Sequence, residues 1–263
     1  MIYLKDTTFI IPICLESEDR KVNAQIVLNY LLKYLDTNVI IYEYDEIPKL
    51  HNILDNINFY KSKVEHKFIK NNTGNKIFHR TKLLNEMLSN VTTKVVVNYD
   101  IDILLKPETY LKCSNLIMNG KDLVYPYFWG DSQYQIYRSG REKLINNLSI
   151  DHLDSKDLNL TRSEYGHCQF FNTNSYIEGG MENENFISYA PEDQERGYRF
   201  KKLGYNVMWS DDYVYHIEHS RGENSSSNNP MMSHNNQLFE KIKKLSVEEL
   251  RNYYSNIEYI NKY

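Results

Sequence analysis

Apolar residues recur along the first hundred positions in two alternating rhythms. Thr8-Phe9-Ile10-Ile11-Pro12-Ile13 is a short continuous run of the kind a buried strand shows. Asp19 to Leu35 then sets Val22, Ile26, Val27, Tyr30, Leu31 and Leu35 at helical spacing. Asn38 to Tyr44 reads as a second strand and Lys67-Phe68-Ile69 as a weaker third. Phe78 to Leu88 gathers Leu83, Leu84, Met87 and Leu88 on one helical face, and Thr93 to Tyr99 is a β-branched strand running into Asp100-Ile101-Asp102. Strands alternating with helices predict a mostly parallel sheet with right-handed crossovers. Ligands of such sheets sit outside the carboxyl ends of the strands, where the Asp-Ile-Asp triplet falls.

Beyond Pro107 the rhythm loosens. Asp122 to Tyr127 predicts a strand, Tyr134 to Leu160 a polar helix and a loop, and Gln169 to Phe171 another strand before a turn at Gly179-Gly180. Glu192 to Leu203 is an amphipathic helix, followed by short strands at Asn206 to Trp209 and Tyr213 to His216. Gly222 to Asn229 has the composition of a flexible polar loop. Helices follow near Asn236 to Lys244 and from Ser246, where Ser246 and Glu249 fit a capping box. The pattern therefore divides into an α/β domain over residues 1–221 and a lid loop with C-terminal helices over 222–263.

Composition narrows the partners. In 263 residues, 31 basic side chains face 35 acidic ones, for a net charge of −4. That balance argues against a nucleic-acid binder relying on a basic surface. An apolar fraction of 41% with 13% aromatics can build a core, which excludes global disorder. Cys14, Cys113 and Cys168 are too few and too scattered for a disulfide framework or a Cys-rich zinc site. The longest apolar N-terminal run, Thr8 to Leu15, is broken by Pro12 and falls far short of the ~20 residues that span a bilayer. A soluble, cytoplasmic protein with no transmembrane segment is expected.

Five constellations could carry chemistry. Asp100 and Asp102, two residues apart beyond a hydrophobic strand, form either an oxygen-rich site for Mg²⁺ or Mn²⁺ bridging to nucleotide phosphates or a solvated strand-ending turn. Glu192-Asp193 opens a helix, where acids complement the macrodipole or serve as a general base aimed into a cleft. His216 and His219, beside the polar loop and Arg221, are surface or core histidines or else imidazoles completing a coordination shell begun by Asp102. Arg80 and Lys82 either face a diphosphate or line a solvated helix face. The aromatics Tyr125, Tyr127, Phe128 and Trp129 are either a sugar-stacking platform or core.

The order of these pieces is more informative than any one of them. Phe-x-Arg-x-Lys-Leu-Leu-Asn, Asp-x-Asp after a strand, Gly-Gly, Glu-Asp and His-Ser-Arg, spread from about Phe9 to Arg221, resemble the GT-A glycosyltransferases. The closest resemblance is to the beta-1,4-galactosyltransferase-like group and the family 2 enzymes related to it. It implies a GT-A α/β fold, with 1–106 as its nucleotide-binding half and 107–221 as its acceptor-binding half. It implies Asp102 as the principal metal carboxylate, Asp100 nearer the nucleotide ribose or supporting the metal ligands from behind, and His219 as a metal ligand with His216 beside it. It also implies Asp193 as catalytic base supported by Glu192. Pro12, Glu43, Arg80 and Gly180 then belong, with Asp100, to the nucleotide-sugar-binding set.

Departures from the galactosyltransferase pattern are local. Ile187-Ser188-Tyr189-Ala190-Pro191 replaces a Trp-Gly-Trp-Gly-Gly run, Gly166-His167 replaces a Gly-Gly, and Cys14-Leu15-Glu16 stands where an arginine is expected, with Arg20 as a substitute. The resemblance implies an inverting enzyme that uses Mn²⁺ or Mg²⁺ to move a sugar from a nucleotide-diphosphate donor, with UDP favoured, to a hydroxyl of a glycan or glycoconjugate acceptor. Alternatives are a glycoside hydrolase, a sugar-phosphate nucleotidyltransferase, and a non-catalytic carbohydrate- or nucleotide-binding module. The nucleotidyltransferase usually carries a Gly-rich loop after its first strand, and none follows Ile11.

Overall fold

The computed structural model describes residues 1–57, 63–72, 77–226 and 228–263. Its first strand, β1 (Ile2–Ile13), is long, and its second half is buried throughout. It feeds α1 (Glu18–Tyr34), which Ser17 caps by accepting from the Arg20 N–H at 3.3 Å. The chain returns through β2 (Leu35–Asp45), a short α2 (Leu50–Asp55) and β3 (Val64–Lys70). α3 (Arg80–Leu88) and β4 (Val95–Tyr99) complete the alternation. β1, β2, β3 and β4 are parallel neighbours, in the order β4-β1-β2-β3. Val95, Val96 and Val97 are wholly buried, each a burial that contributes about 1.5–3 kcal/mol, which is why this stretch reads as a continuous apolar run.

The second half departs from the simple alternation. After β5 (Ile103–Leu104) and α4 (Pro107–Met118) come β6 (Leu123–Tyr125), β7 (Gly130–Ile136), α5 (Arg138–Asn147), β8 (Leu158–Ser163) and β9 (Cys168–Asn172). β9 inserts antiparallel between β4 and β6, so the seven-stranded sheet is mixed although mostly parallel. α6 (Thr173–Glu178) leads to the turn at Gly180. α7 (Glu192–Leu203), β10 (Val207–Trp209) and β11 (Val214–Ile217) follow where the periodicity predicts them.

The Tyr134 to Leu160 segment differs from its expected helix and loop. It holds the end of β7, α5 and the start of β8, and β7 joins a second sheet of order β5-β11-β7-β8. β7 is polar (Gly130-Asp-Ser-Gln-Tyr-Gln-Ile), so it lacks the apolar alternation that marks a strand in sequence.

α8 (Met232–Lys244) and α9 (Val247–Ser255) pack on α7, and the Ser246–Glu249 capping box forms as predicted. Ile242, Leu250 and Tyr254 build a satellite core with Phe186, while Ile257 and Tyr259 join the main one. The predicted polar loop Gly222 to Asn229 includes Ser227, which lies outside the described residues. Among the described residues, no helix is long and apolar enough to cross a membrane.

Candidate functional site

A cleft opens at the carboxyl ends of β1 and β4, with Pro12, Asp100, Asp102 and Arg80 among its walls. β4 ends at Tyr99, so the hydrophobic strand delivers Asp100 and Asp102 to this edge. Asp102 then meets two histidines far away in sequence because β5, which begins right after it, pairs antiparallel with β11 in the register Ile103↔His216. The Ile217 N–H donates to the Asp102 carbonyl at 2.7 Å, and the Asn23 amide of α1 donates to the carbonyls of Ile217 and Glu218 at 3.3 and 3.2 Å. The strand end bearing His216 and His219 is thereby held against Asp102.

Asp102, His216 and His219 place one ligand atom each within 4.8 Å of one another, the one such group among the described residues. His219 Nε2 lies 3.1 Å from Asp102 Oδ2, and His216 Nε2 lies 3.7 Å from Oδ1. The opposite nitrogens are already used. His216 Nδ1 faces Gln135 Oε1 at 2.9 Å, and His219 Nδ1 faces the Ser220 carbonyl at 2.8 Å. Both partners only accept, so both Nδ1 atoms carry hydrogen. In a neutral imidazole the Nε2 lone pair is then free and aimed at the carboxylate. Burial pushes the His216 pKa down to about 3 despite the Asp102 charge, so His216 is neutral near pH 7. Burial works against the Asp102 carboxylate, yet His216, His219 and Arg20 hold its pKa well below the usual range. One carboxylate and two imidazole nitrogens thus converge with outer partners fixing the tautomers, a donor set that fits a divalent cation such as Mn²⁺. Arg20 Nη1, at 3.6 Å from Asp102 Oδ2, is the cation present on the protein itself.

The other end of the cleft is built at the start of α7. Asp193 keeps 27% of its side chain exposed, whereas Glu192 keeps 9%. Arg80 donates to Asp100 at 2.6 Å and faces Asp193 at 3.7 Å and Glu192 at 3.9 Å. Arg196, with no exposed side chain, approaches Asp193 at 3.1 Å. Arg196 is itself gripped by Glu182 through two hydrogen bonds of 2.6 and 2.8 Å and donates to Gln169 at 2.9 Å. Burial first, then the Asp193 charge, push the Glu192 pKa up to about 8 against the pull of Arg80 and Arg196. Near neutral pH Glu192 therefore holds a proton beside Asp193.

Two expected residues lie elsewhere. Glu43 is fully buried and accepts from the Lys49 and Leu50 N–H groups at 2.7 and 3.1 Å, with His66 Nε2 at 3.0 Å. It ties the start of α2 to β3 and does not line the cleft. Gly180, at φ 94°, meets the Tyr254 ring so closely that an added Cβ would stand 2.5 Å from it. Its glycine serves the packing of α9, not a ligand. Pro12, Arg80, Asp100, Asp102, Glu192, Asp193, His216 and His219 do come together.

Other cleft residues carry little signal in sequence. His167 lines the cleft at φ 72°, a left-handed conformation uncommon for a residue with a side chain, and its ring centroid is 5.5 Å from that of His216. The one pointer to it is the replacement of a Gly-Gly pair. Gln135 was hidden in a strand that did not read as one. Asn224 reaches across the cleft mouth, accepting from the Phe78 N–H and the Ser188 hydroxyl at 2.8 Å each and donating to Glu16 at 2.7 Å.

No family model and no curated sequence matches the chain. Among solved structures it is similar to the mannosyltransferase PcManGT from Pyrobaculum calidifontis, in complex with GDP-Man and Mn²⁺, at 12% identity and a TM-score of 0.56. The match covers 97% of this chain and 69% of that one. At this identity the likeness shows the fold: a GT-A-type α/β sheet flanked by helices.

Proposed function

We propose that this chain is an inverting, metal-dependent glycosyltransferase that moves a sugar from a nucleotide-diphosphate donor to an acceptor hydroxyl. The observation that carries the reading is the convergence of Asp102, His216 and His219 at the carboxyl edge of the sheet, in one cleft with Asp193 at a helix N-terminus. Two further supports are the motif order and the solved neighbour, which bound GDP-Man and Mn²⁺. The motif order favours a UDP sugar within the beta-1,4-galactosyltransferase-like group, and the neighbour's ligand adds GDP sugars to the donors worth testing.

In this reading Asp102, His216 and His219 hold Mn²⁺ or Mg²⁺. A bound cation supplies Lewis-acid neutralisation of the charge that develops on the leaving diphosphate. Asp193 accepts the proton of the acceptor hydroxyl as that oxygen attacks the anomeric carbon from the face opposite the diphosphate. Its exposed oxygen gives it access, and Arg80 and Arg196 orient the carboxylate. Glu192, protonated beside it, adds no second negative charge to the base. Arg80 and Asp100 form a paired wall near the donor.

A panel of nucleotide sugars incubated with the enzyme and Mn²⁺, read by release of the nucleoside diphosphate, tests this without knowledge of the acceptor. Mn²⁺-dependent release from one donor, abolished by chelator, is expected. If neither release nor a nucleotide-dependent thermal shift accompanies any donor with Mn²⁺, the reading is wrong.

A further inference from the structure

The aromatic cluster that sequence left as platform or core divides in the structure. Tyr125 and Tyr127 have no exposed surface, but Trp129, on the connection from β6 to β7, keeps 42% of its side chain in solvent. Its ring stands edge-on to Tyr165 at 4.9 Å and to Trp209 at 5.3 Å between centroids. Trp209 stacks on Tyr125 at 4.5 Å and 11° and donates its indole N–H to the Glu164 carbonyl at 2.8 Å. Trp129 is therefore braced by two aromatic rings while a large part of it stays in solvent.

This platform is joined to the cleft by chain and by helix. Tyr165 is followed by Gly166 and His167, both of which line the cleft. A Cβ on Gly166 would stand 3.4 Å from Asp193 Oδ2, so the Gly166 backbone lies against the base. Along α7, Asp193, Gly197 and Lys201 recur at a spacing of four and share one face. Gly197 takes the Tyr165 ring, which leaves no room for a Cβ (2.6 Å), and the Lys201 ammonium sits 4.0 Å from the Trp209 ring and 5.6 Å from that of Trp129. The stripe thus runs from carboxylate to bare glycine to the lysine that meets the aromatic platform, about 12 Å along the helix.

Resting on the glycosyltransferase reading, we propose that Trp129, braced by Tyr165 and Trp209, is a stacking subsite for a sugar ring of the acceptor. The acceptor is then an oligosaccharide or glycan chain, with its attacking hydroxyl at Asp193 and an inner residue on Trp129. A pyranose suits this surface because it offers an apolar face of C–H groups to the indole and hydroxyls to its rim, whereas Tyr and Trp combine apolar faces with polar edges. In this proposal the reactive position and the indole take different sugar rings, so binding to the indole grows with the length of the acceptor.

The chain has two tryptophans, Trp129 and Trp209, and both belong to the platform, so intrinsic tryptophan fluorescence reports on it alone. The probes are gluco-, manno- and chito-oligosaccharides from monosaccharide to tetrasaccharide. A saturable fluorescence change is expected with at least one series, absent for its monosaccharide, growing with length, and lost in Trp129→Ala. Trp129→Phe should retain length-dependent binding, read by calorimetry. No response to any series, an equal response in Trp129→Ala, or full response to a monosaccharide overturns the proposal. A UDP or GDP thermal shift with Mn²⁺, measured on the same variants, should be unchanged by Trp129→Ala. Loss of that shift in the wild type would count against the glycosyltransferase reading, and the sugar titration would still judge the platform.

Discussion

The two ends of the cleft balance their charges differently. At the Asp193 end, two guanidinium groups stand within 3.7 Å of the carboxylate, and one of them is clamped by Glu182. At this end the protein supplies its own cations to the carboxylate. At the Asp102 end, two imidazole lone pairs and a carboxylate face one another, with the Arg20 guanidinium off to one side at 3.6 Å. Here the donor set is of the kind that suits a divalent cation. In the proposed reading, the same residue type in one cleft is set by its neighbours for proton transfer in one place and for ligation in the other.

Four substitutions break this comparison at different points. The largest effect is expected for Asp102→Ala, which should abolish the Mn²⁺-dependent stabilisation of the protein by nucleoside diphosphate in a thermal-shift titration. Asp193→Asn should lower transfer turnover by about 10²–10⁴-fold while leaving that thermal shift intact, since it alters the Asp193 end alone. Gln135→Ala frees His216 Nδ1 from its partner and should weaken Mn²⁺ binding by roughly 10–100-fold, with little change in folding.

The smallest effect belongs to Glu192. Its pKa in the folded protein, about 8, lies above the ordinary 4.5. The folded state therefore binds the proton more tightly than the unfolded one. The stability this gives is present in full below about pH 4.5 and is lost as pH rises through 8. Glu192→Gln, which cannot ionise, should be favoured over wild type by a Tm difference that grows between pH 5 and pH 8 and reaches a few degrees. A constant difference across that range would assign Glu192 an ordinary acidity.

Much of this arrangement is legible in sequence, and the exceptions have physical causes. The strands β1, β2 and β4 and the helices α1, α3 and α7 announce themselves because each buries an apolar face with a clear period. The carboxylates at the strand end and helix start follow from those boundaries. β7 and β8 do not, because they are polar and only partly buried, so the second sheet carries no apolar signature in the sequence. With it went Gln135, whose role is visible only once β11 lies beside β7. Glu43 and Gly180 fail for the opposite reason. Each stands in a plausible place in the motif order, but local packing claims it: two backbone N–H groups for Glu43 and the Tyr254 ring for Gly180. Arg196 reads as an ordinary charged helix residue, and only burial shows that it is the clamp behind Asp193.

The central claim is that Asp102, His216 and His219 bind a divalent cation together. Mn²⁺ titration followed by electron paramagnetic resonance, with a nucleoside diphosphate present, tests it most directly. The account predicts stoichiometric loss of the free Mn²⁺ signal in the wild type, nitrogen couplings from two imidazoles, and neither in the Asp102→Ala/His219→Ala double variant. Wild-type protein that leaves the free Mn²⁺ signal undiminished, or a double variant that binds Mn²⁺ as the wild type does, would contradict it.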